Sequence, residues 1–508
     1  MRRFFVIFLL TLILTITLAC RDDEAAPTSS TAPSEELAAD DTGRHLIPER
    51  WWESAPAICG VTLKDRKYFP QLPIDPDKAA EKLDQIRGQG FSAIEIFAPA
   101  EGGYSYNGLD QTGYYRIDPE IGTMDDFRRL IRQAHGRGLA VITFENIGYP
   151  SVDAPYWQKA CDDVREGLDT PEARRYVWSD RADAPAPALG SFAMEPGKHW
   201  GRWVFSERAG KFFWSKWPGV DAKKNRVDLP AFNWADPEWQ QEAEKVIRFW
   251  MDTGLDGMII DAPRWYPNLT WELTRRRIVD VIASYGNVYM QPEGAGGGAE
   301  GPLPWITEAG FNSVQDYGLD YPPGKEHAHA IRDAIESGDP HLIEEAMHHY
   351  HDRVVAAGAT LYLRVPRFEQ RPKLLLAMAM VACLGNLVLS TEWQIGPQVD
   401  HDIKWLFDTK GKHPALHNLS TRRRLPTNAD NKYYAFLRTA ADNSERVIVV
   451  FNFQSTEQTV AVMIDGVATA GLVELKSGDE MPRQNPLKVE LPAYGYRLYQ
   501  LKPVGRLP

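Results

Sequence analysis

A chain of 508 residues that is 44% hydrophobic and 25% charged, with 39 glycines, 36 prolines and 16 tryptophans, carries enough apolar material for a large core. That composition excludes wholesale disorder and a mini-protein held by disulfides. With 57 Lys and Arg against 69 Asp and Glu the net charge is -12, so no overall positive field exists to gather nucleic acid or another polyanion.

Met1-Arg2-Arg3 precedes an almost uninterrupted apolar run from Phe4 to Leu18, then Ala19-Cys20. A basic start, an apolar stretch and a small residue before cysteine form an export signal, not a fold element. Leu18-Ala19-Cys20 resembles the processing box of bacterial lipoproteins. The resemblance implies a lipid on Cys20, a membrane partner through that lipid and a place in the cell envelope. Arg21 in the next position favours the outer membrane, with the face left open. Residues 1–20 are thus signal and lipidated cysteine, and 21–45, rich in Ala, Ser, Thr, Pro and acid, a solvated tether. Folding is expected to begin near Trp51. Cys59, Cys161 and Cys383 are odd in number and lack metal-site spacing, so they read as buried small hydrophobes. No stretch beyond residue 20 is apolar for long enough to cross a bilayer.

From Ala57 onward short apolar runs alternate with amphipathic ones. Strands are predicted at 57–63, 91–97, 139–144, 257–261, 287–291, 311–315, 360–365 and 386–390, and helices at 75–89, 124–137, 237–252, 268–284 and 373–383. Eight strands separated by helices predict an α/β fold, a closed (β/α)8 barrel over 46–148 and 234–427. The alternation is interrupted over 149–233 by a stretch dense in Trp, Pro and Gly, too long for an ordinary connection and read as an inserted subdomain. After Thr427 helical patterning ends, and six short strand candidates predict a C-terminal all-β sandwich over 428–508.

Barrel chemistry sits where strands end, because the C-terminal rim aims side chains from several strands at one cavity. Asp261 closes the fourth strand and Glu293 follows the fifth, ahead of a glycine-rich loop. Two acids on adjacent strands can cleave a glycosidic bond with retention if one donates a proton and the other meets the anomeric carbon, at about 5 to 5.5 Å separation. Glu369, in Arg367-Phe368-Glu369-Gln370-Arg371, is a third candidate, and Glu145 a weaker fourth. The tryptophans between Trp178 and Trp239 could stack on sugar rings, although most would serve as core. His348, His349 and His351 lie in a predicted helix without a ligand pattern and read as solvated or capping.

These features together resemble the alpha-amylase family of retaining glycoside hydrolases and transglycosylases. The resemblance is carried by Trp51-Trp52, Gly108 to Asp118 with Pro119-Glu120-Ile121-Gly122-Thr123, Ala134-His135-Gly136-Arg137-Gly138-Leu139, Asp228-Leu229-Pro230 and Gly254-Leu255-Asp256-Gly257 before Asp261. In the C-terminal part it rests on His413-Pro414-Ala415-Leu416, Tyr434-Ala435-Phe436-Leu437-Arg438 and Val449-Val450-Phe451-Asn452-Phe453. It implies Asp261 as nucleophile, Glu293 as general acid/base and Glu369 as transition-state stabiliser, the last only as a Glu for the family's Asp. Tyr149, Trp234, Arg264, Trp265 and Arg367 are the substrate-binding candidates.

Departures cluster at the first sugar subsite. Ile259 replaces the family arginine two residues before the nucleophile and Phe144 the aspartate supporting it, Gly148-Tyr149 replaces an Asn-His pair, and Leu109 the stacking tyrosine. Joint loss of the arginine and its partner is coherent, since either buried alone carries a large desolvation cost. No organic cofactor or catalytic metal is expected, and the missing Asn weakens the case for the family's structural calcium. The implied function is hydrolysis of α-linked glucosides or related glycans through a covalent glycosyl-enzyme. The alternatives are transglycosylation on the same substrates or a noncatalytic glycan-binding lipoprotein.

Overall fold

The computed structural model describes residues 42–64, 69–188, 201–294, 302–316, 330–389 and 399–503. The export signal, Cys20 and the tether through Asp41 lie outside those residues, as do Trp200 and His327. Eight parallel strands form one sheet: β1 (Ala57–Thr62), β2 (Ala93–Phe97), β3 (Ala140–Glu145), β4 (Gly257–Ile260), β5 (Tyr289–Pro292), β6 (Ser313–Asp316), β7 (Thr360–Arg364) and β8 (Asn386–Leu389). Their order is β5-β4-β3-β2-β1-β8-β7-β6. Side chains join the two ends. Asn312 accepts from the Met290 N–H (2.9 Å) and donates to the Val288 carbonyl (2.7 Å), Tyr289 meets Ser313 (2.9 Å), and Gln291 donates to Gln315 (3.1 Å). The sheet thereby curls into a barrel.

The strands read as apolar runs because both faces are buried. In β2, Ala93 and Phe97 join an inner cluster with Ile58, Ile142, Phe144, Ile259 and Tyr362, while Ile94 and Ile96 pack outward under the helices. Trp51 and Trp52 close the barrel floor, their rings 5.6 and 6.1 Å from that of Tyr289. Order begins earlier than Trp51, inside the segment assigned to the tether. His135 Nδ1 donates to the Thr42 carbonyl (2.6 Å), its Nε2 meets Asp256 (2.8 Å), and Arg44 pairs with Asp256 (3.5 Å). Helix 268–284 is observed from Trp271 to Ala283 with a π-turn at Arg275–Val279.

The inserted segment holds a helix at Pro155–Arg165, a hairpin of Arg202–Ser206 with Lys211–Ser215, and a second hairpin of Pro218–Val220 with Arg226–Asp228. The C-terminal part is a six-stranded sheet and a two-stranded one around their own core, which includes Ile448, Val460 and Leu472. That sheet starts before residue 428, because Thr421–Leu425 pairs antiparallel with Tyr433–Thr439. Thr-Arg-Arg-Arg-Leu has too little apolar content to read as a strand, yet its Arg422, with Arg438 of the neighbouring strand, docks the sheet. Arg422 bonds Glu344 (2.8 Å) and Asp352 (2.7 Å). Arg438, fully buried, donates to His351 Nε2 (2.9 Å) and the His417 carbonyl (2.8 Å). His351 is therefore neither solvated nor capping: burial holds its imidazole down to about 4, neutral and able to accept from the guanidinium. His351→Leu should leave a buried guanidinium N–H without its acceptor and cost about 2 to 3 kcal/mol, read as a lowered Tm; an unchanged Tm would contradict this docking role.

Candidate active site

Asp261 and Glu293 each sit one residue beyond adjacent strands. The Asp261 N–H donates to the Glu145 carbonyl and that of Glu293 to the Ile260 carbonyl, both at 2.8 Å, so each acid continues its strand's ladder. Strand alternation then turns Ile259 with Asp261, and Gln291 with Glu293, toward the barrel axis. The two acids lie close enough for the charge of Glu293 to act on Asp261. Burial first, then the Glu293 charge, push the Asp261 carboxyl well above its ordinary range, while Arg364 pulls it down.

An apolar layer underlies the pair. Phe97 stacks on Phe144 at 4.8 Å and on Phe69 at 4.8 Å, and Phe144 is the register partner of Ile259. The absent arginine and aspartate are thus two neighbouring positions of one greasy floor. Deeper in the barrel, Tyr362 donates to Glu95, whose carboxyl is raised by burial and lowered by Arg364. Sequence reasoning missed Glu95, although a lone acid within Ala93-Ile94-Glu95-Ile96-Phe97 was the available signal. It also missed Arg364, which lies two residues beyond Tyr362 on the same face of β7 and so one layer nearer the rim.

Glu369 and Arg367 are exposed on the segment after β7, and the charges acting on Asp261 are those of Glu293 and Arg364. Tyr149 and Trp234 are buried, which removes them from sugar contact. Tyr149 donates to the Trp265 carbonyl (2.6 Å). Trp234 stacks under Tyr266 at 5.9 Å, and Tyr266 donates to the Asp261 carbonyl and accepts from the Ile147 N–H (3.3 Å). Both aromatics support the loop that carries Asp261. Gly148 is required there, since a Cβ would stand 1.9 Å from the Tyr266 ring. Arg264 and Trp265 do lie beside the acids. Arg264 donates to the Gly294 carbonyl (2.8 Å), linking the two acid-bearing loops, and its guanidinium lies 4.4 Å from the Trp265 ring centre.

Calcium does not fit the junction after β3. Gly148 offers no side-chain oxygen, and Asn146 is spent on its own turn: it donates to the Leu109 and Tyr149 carbonyls (2.8 Å each) and accepts from the Gly148 N–H (2.8 Å). No group of three His, Cys, Asp or Glu able to hold a metal occurs among the described residues. Glu145 is buried with neither carboxyl oxygen hydrogen-bonded; burial raises it to about 8, against the lowering charge of Lys64.

Comparison with known proteins bears on this site. The family profile described as Alpha amylase, catalytic domain, matches residues 77–353, and that described as Maltogenic Amylase, C-terminal domain, matches 425–498. The trehalose synthase/amylase TreS of Mycolicibacterium smegmatis is 30% identical over 182 residues, 36% of this chain and 28% of that protein. The trehalose synthase of Thermus thermophilus is 31% identical over 181 residues, 36% of this chain and 17% of that protein. The chain thus spans under a third of the length of these curated relatives. The solved α-amylase from H. orenii shares the fold, with a TM-score of 0.66 and 19% identity over 89% of this chain and 100% of that one.

Gly148→Ala should displace Tyr266 and with it the Asp261 loop, costing about 1 to 3 kcal/mol of stability and most activity, measured by melting and turnover. Glu145→Gln tests the buried acid. Its folded pKa lies above the unfolded one, so the stability it adds is full below about pH 4.5 and lost as pH rises through about 8. The variant should show a flatter Tm profile across that window and a higher Tm than wild type at pH 8.5.

Proposed function

The chain belongs to the alpha-amylase family, and on that premise we propose that it moves glucosyl groups between α-linked glucosides with retention, Asp261 acting as nucleophile and Glu293 as acid/base. It is an enzyme of the glycosidase type. The observation that supports the assignment of roles is the placement of the two acids one residue beyond adjacent barrel strands, both turned toward the axis. The reaction needs a proton on the acid/base and a charge on the nucleophile. When a glycosidic oxygen enters, Glu293 passes the proton to it as the C1–O bond breaks, and an Asp261 oxygen bonds C1. Glu293, now a carboxylate, removes the proton of an incoming hydroxyl, whose oxygen takes C1 and frees Asp261. Arg364 favours the ionised form of Asp261.

Hydrolysis is the same sequence with water as the acceptor. Transfer is the preferred reading because two of the relatives are trehalose synthases by name. The floor of Phe97, Phe144 and Ile259 supports it further, since an apolar floor gives water few partners beside the intermediate. The reading extends to the envelope through Leu18-Ala19-Cys20: Cys20→Ser should release the protein from the membrane fraction.

Wild type, Asp261→Asn and Glu293→Gln should be compared on maltose, trehalose and aryl α-glucosides, with products separated into free glucose and new disaccharide. Asp261→Asn should lose on the order of 10^3-fold or more in kcat/KM. Glu293→Gln should fall about 10^2- to 10^4-fold on maltose but far less on a dinitrophenyl glucoside, whose leaving group needs no proton. Full turnover in either variant on maltose would reject the roles, and glucose as sole product would reject transfer. Because Asp261 must be ionised and is held high, kcat/KM should fall on acidification above the ordinary carboxylate range. Glu293→Gln, assayed on the dinitrophenyl glucoside, should move that limb to lower pH.

A further inference from the structure

The loop after β2 presents an aromatic side chain in a conformation that folding alone would not select. Tyr106 is 44% exposed and has a left-handed backbone, φ 46°. A non-glycine residue held there carries a cost that a surface loop would ordinarily relax, so the surroundings must enforce it. They do so from both sides. The Ser105 N–H donates to Asp110 (2.9 Å), and the Ser105 hydroxyl accepts from the Val220 N–H (2.7 Å) on the inserted hairpin. Gly219 makes room for this, since a Cβ there would stand 2.6 Å from the Ser105 hydroxyl.

The clamp sets Tyr106 edge-on to Trp217 of the inserted segment, ring centres 6.2 Å apart at 74°. The aromatic pair is continuous with the acids. Lys216 lies 5.0 Å from the Trp217 ring and 4.6 Å from that of Trp265, which also carries Arg264, the residue bonded to the Gly294 carbonyl beside Glu293. Among the influences on the Tyr106 phenol, burial comes first and the Asp261 charge next, so the ring stands within electrostatic reach of the acid. Leu109, three residues on, packs instead against the barrel floor.

We propose that Tyr106 and Trp217 form a sugar-stacking subsite outside the acid pair, which receives the second or third ring of an α-linked glucosyl chain. The ring faces are apolar and fixed before binding, and the C–H face of a pyranose lies against such a surface at little entropic cost. The substrate class assigned here rests on the α-glucoside reading above, whereas the subsite is read out by binding alone.

The test uses the full chain in an Asp261→Asn background, which suppresses turnover, and titrates maltotetraose calorimetrically. Tyr106→Ala and Trp217→Ala should each weaken binding roughly tenfold, Tyr106→Phe should stay within about twofold, and Tyr115→Ala, an exposed tyrosine on the same loop that donates to Glu242, should change nothing. Tyr106→Phe guards against a folding artefact, because it keeps the ring and the backbone. Equal affinity in Tyr106→Ala and its parent overturns the subsite, as does a parent that does not bind maltotetraose. Binding that depends on Tyr106, in a wild type that turns over no α-glucoside, upholds the subsite and rejects the proposed reaction.

Discussion

Two carboxyl groups facing each other above an apolar floor repel when both are charged. At the separation of about 5 Å that retention requires and an effective dielectric near 20, the repulsion alone is about 3 kcal/mol, before either charge has been desolvated. Burial and the Glu293 charge together hold the Asp261 carboxyl high, and the rest of the barrel mouth is arranged around the two acids. Tyr266 and the Trp234 beneath it fix the loop of one acid, and Arg264 ties that loop to the loop of the other. The two acids are thereby held as a unit.

The altered subsite follows the same logic. An arginine and an aspartate facing each other can be exchanged together for apolar side chains at little net cost, while losing one alone strands a buried charge. Ile259 and Phe144 are register partners, so the exchange is local and complete. The field it removes is partly restored from the opposite side of the barrel, where Arg364 extends β7 above Tyr362 and Glu95. A positive charge is present near the acids, but on a different strand.

Barrel strands were legible because burial on both faces leaves unbroken apolar runs, and strand ends such as Gly257 to Ile260 stop where the run stops. Motifs were legible as motifs but not as places. Ala134-His135 and Gly254 to Gly257 meet at the barrel floor, where His135 and Asp256 bind the incoming chain, far from any chemistry. Residue type does not reveal which face a ring occupies, which is why Trp234 and Tyr149 read as sugar contacts and prove to be supports. Arg367 and Glu369 stand beyond the predicted strand 360–365, where barrel chemistry is expected, whereas Arg364 falls inside it and reads as part of the ladder. Thr421–Leu425 and His351 escaped for a shared reason: their role is to satisfy charge across a domain contact, and such pairing leaves no period in the sequence.

The chain enters the fold through Thr42, Arg44 and the paired tryptophans beneath Tyr289, at the closed end of the barrel. Asp261 and Glu293 open at the other end. Residues 42–44 are therefore held at the floor, at the end of the barrel opposite the acids. Grafted by that end to a bead, a vesicle or a fusion partner, the molecule would keep its cleft directed outward, free to meet a glycan much larger than itself.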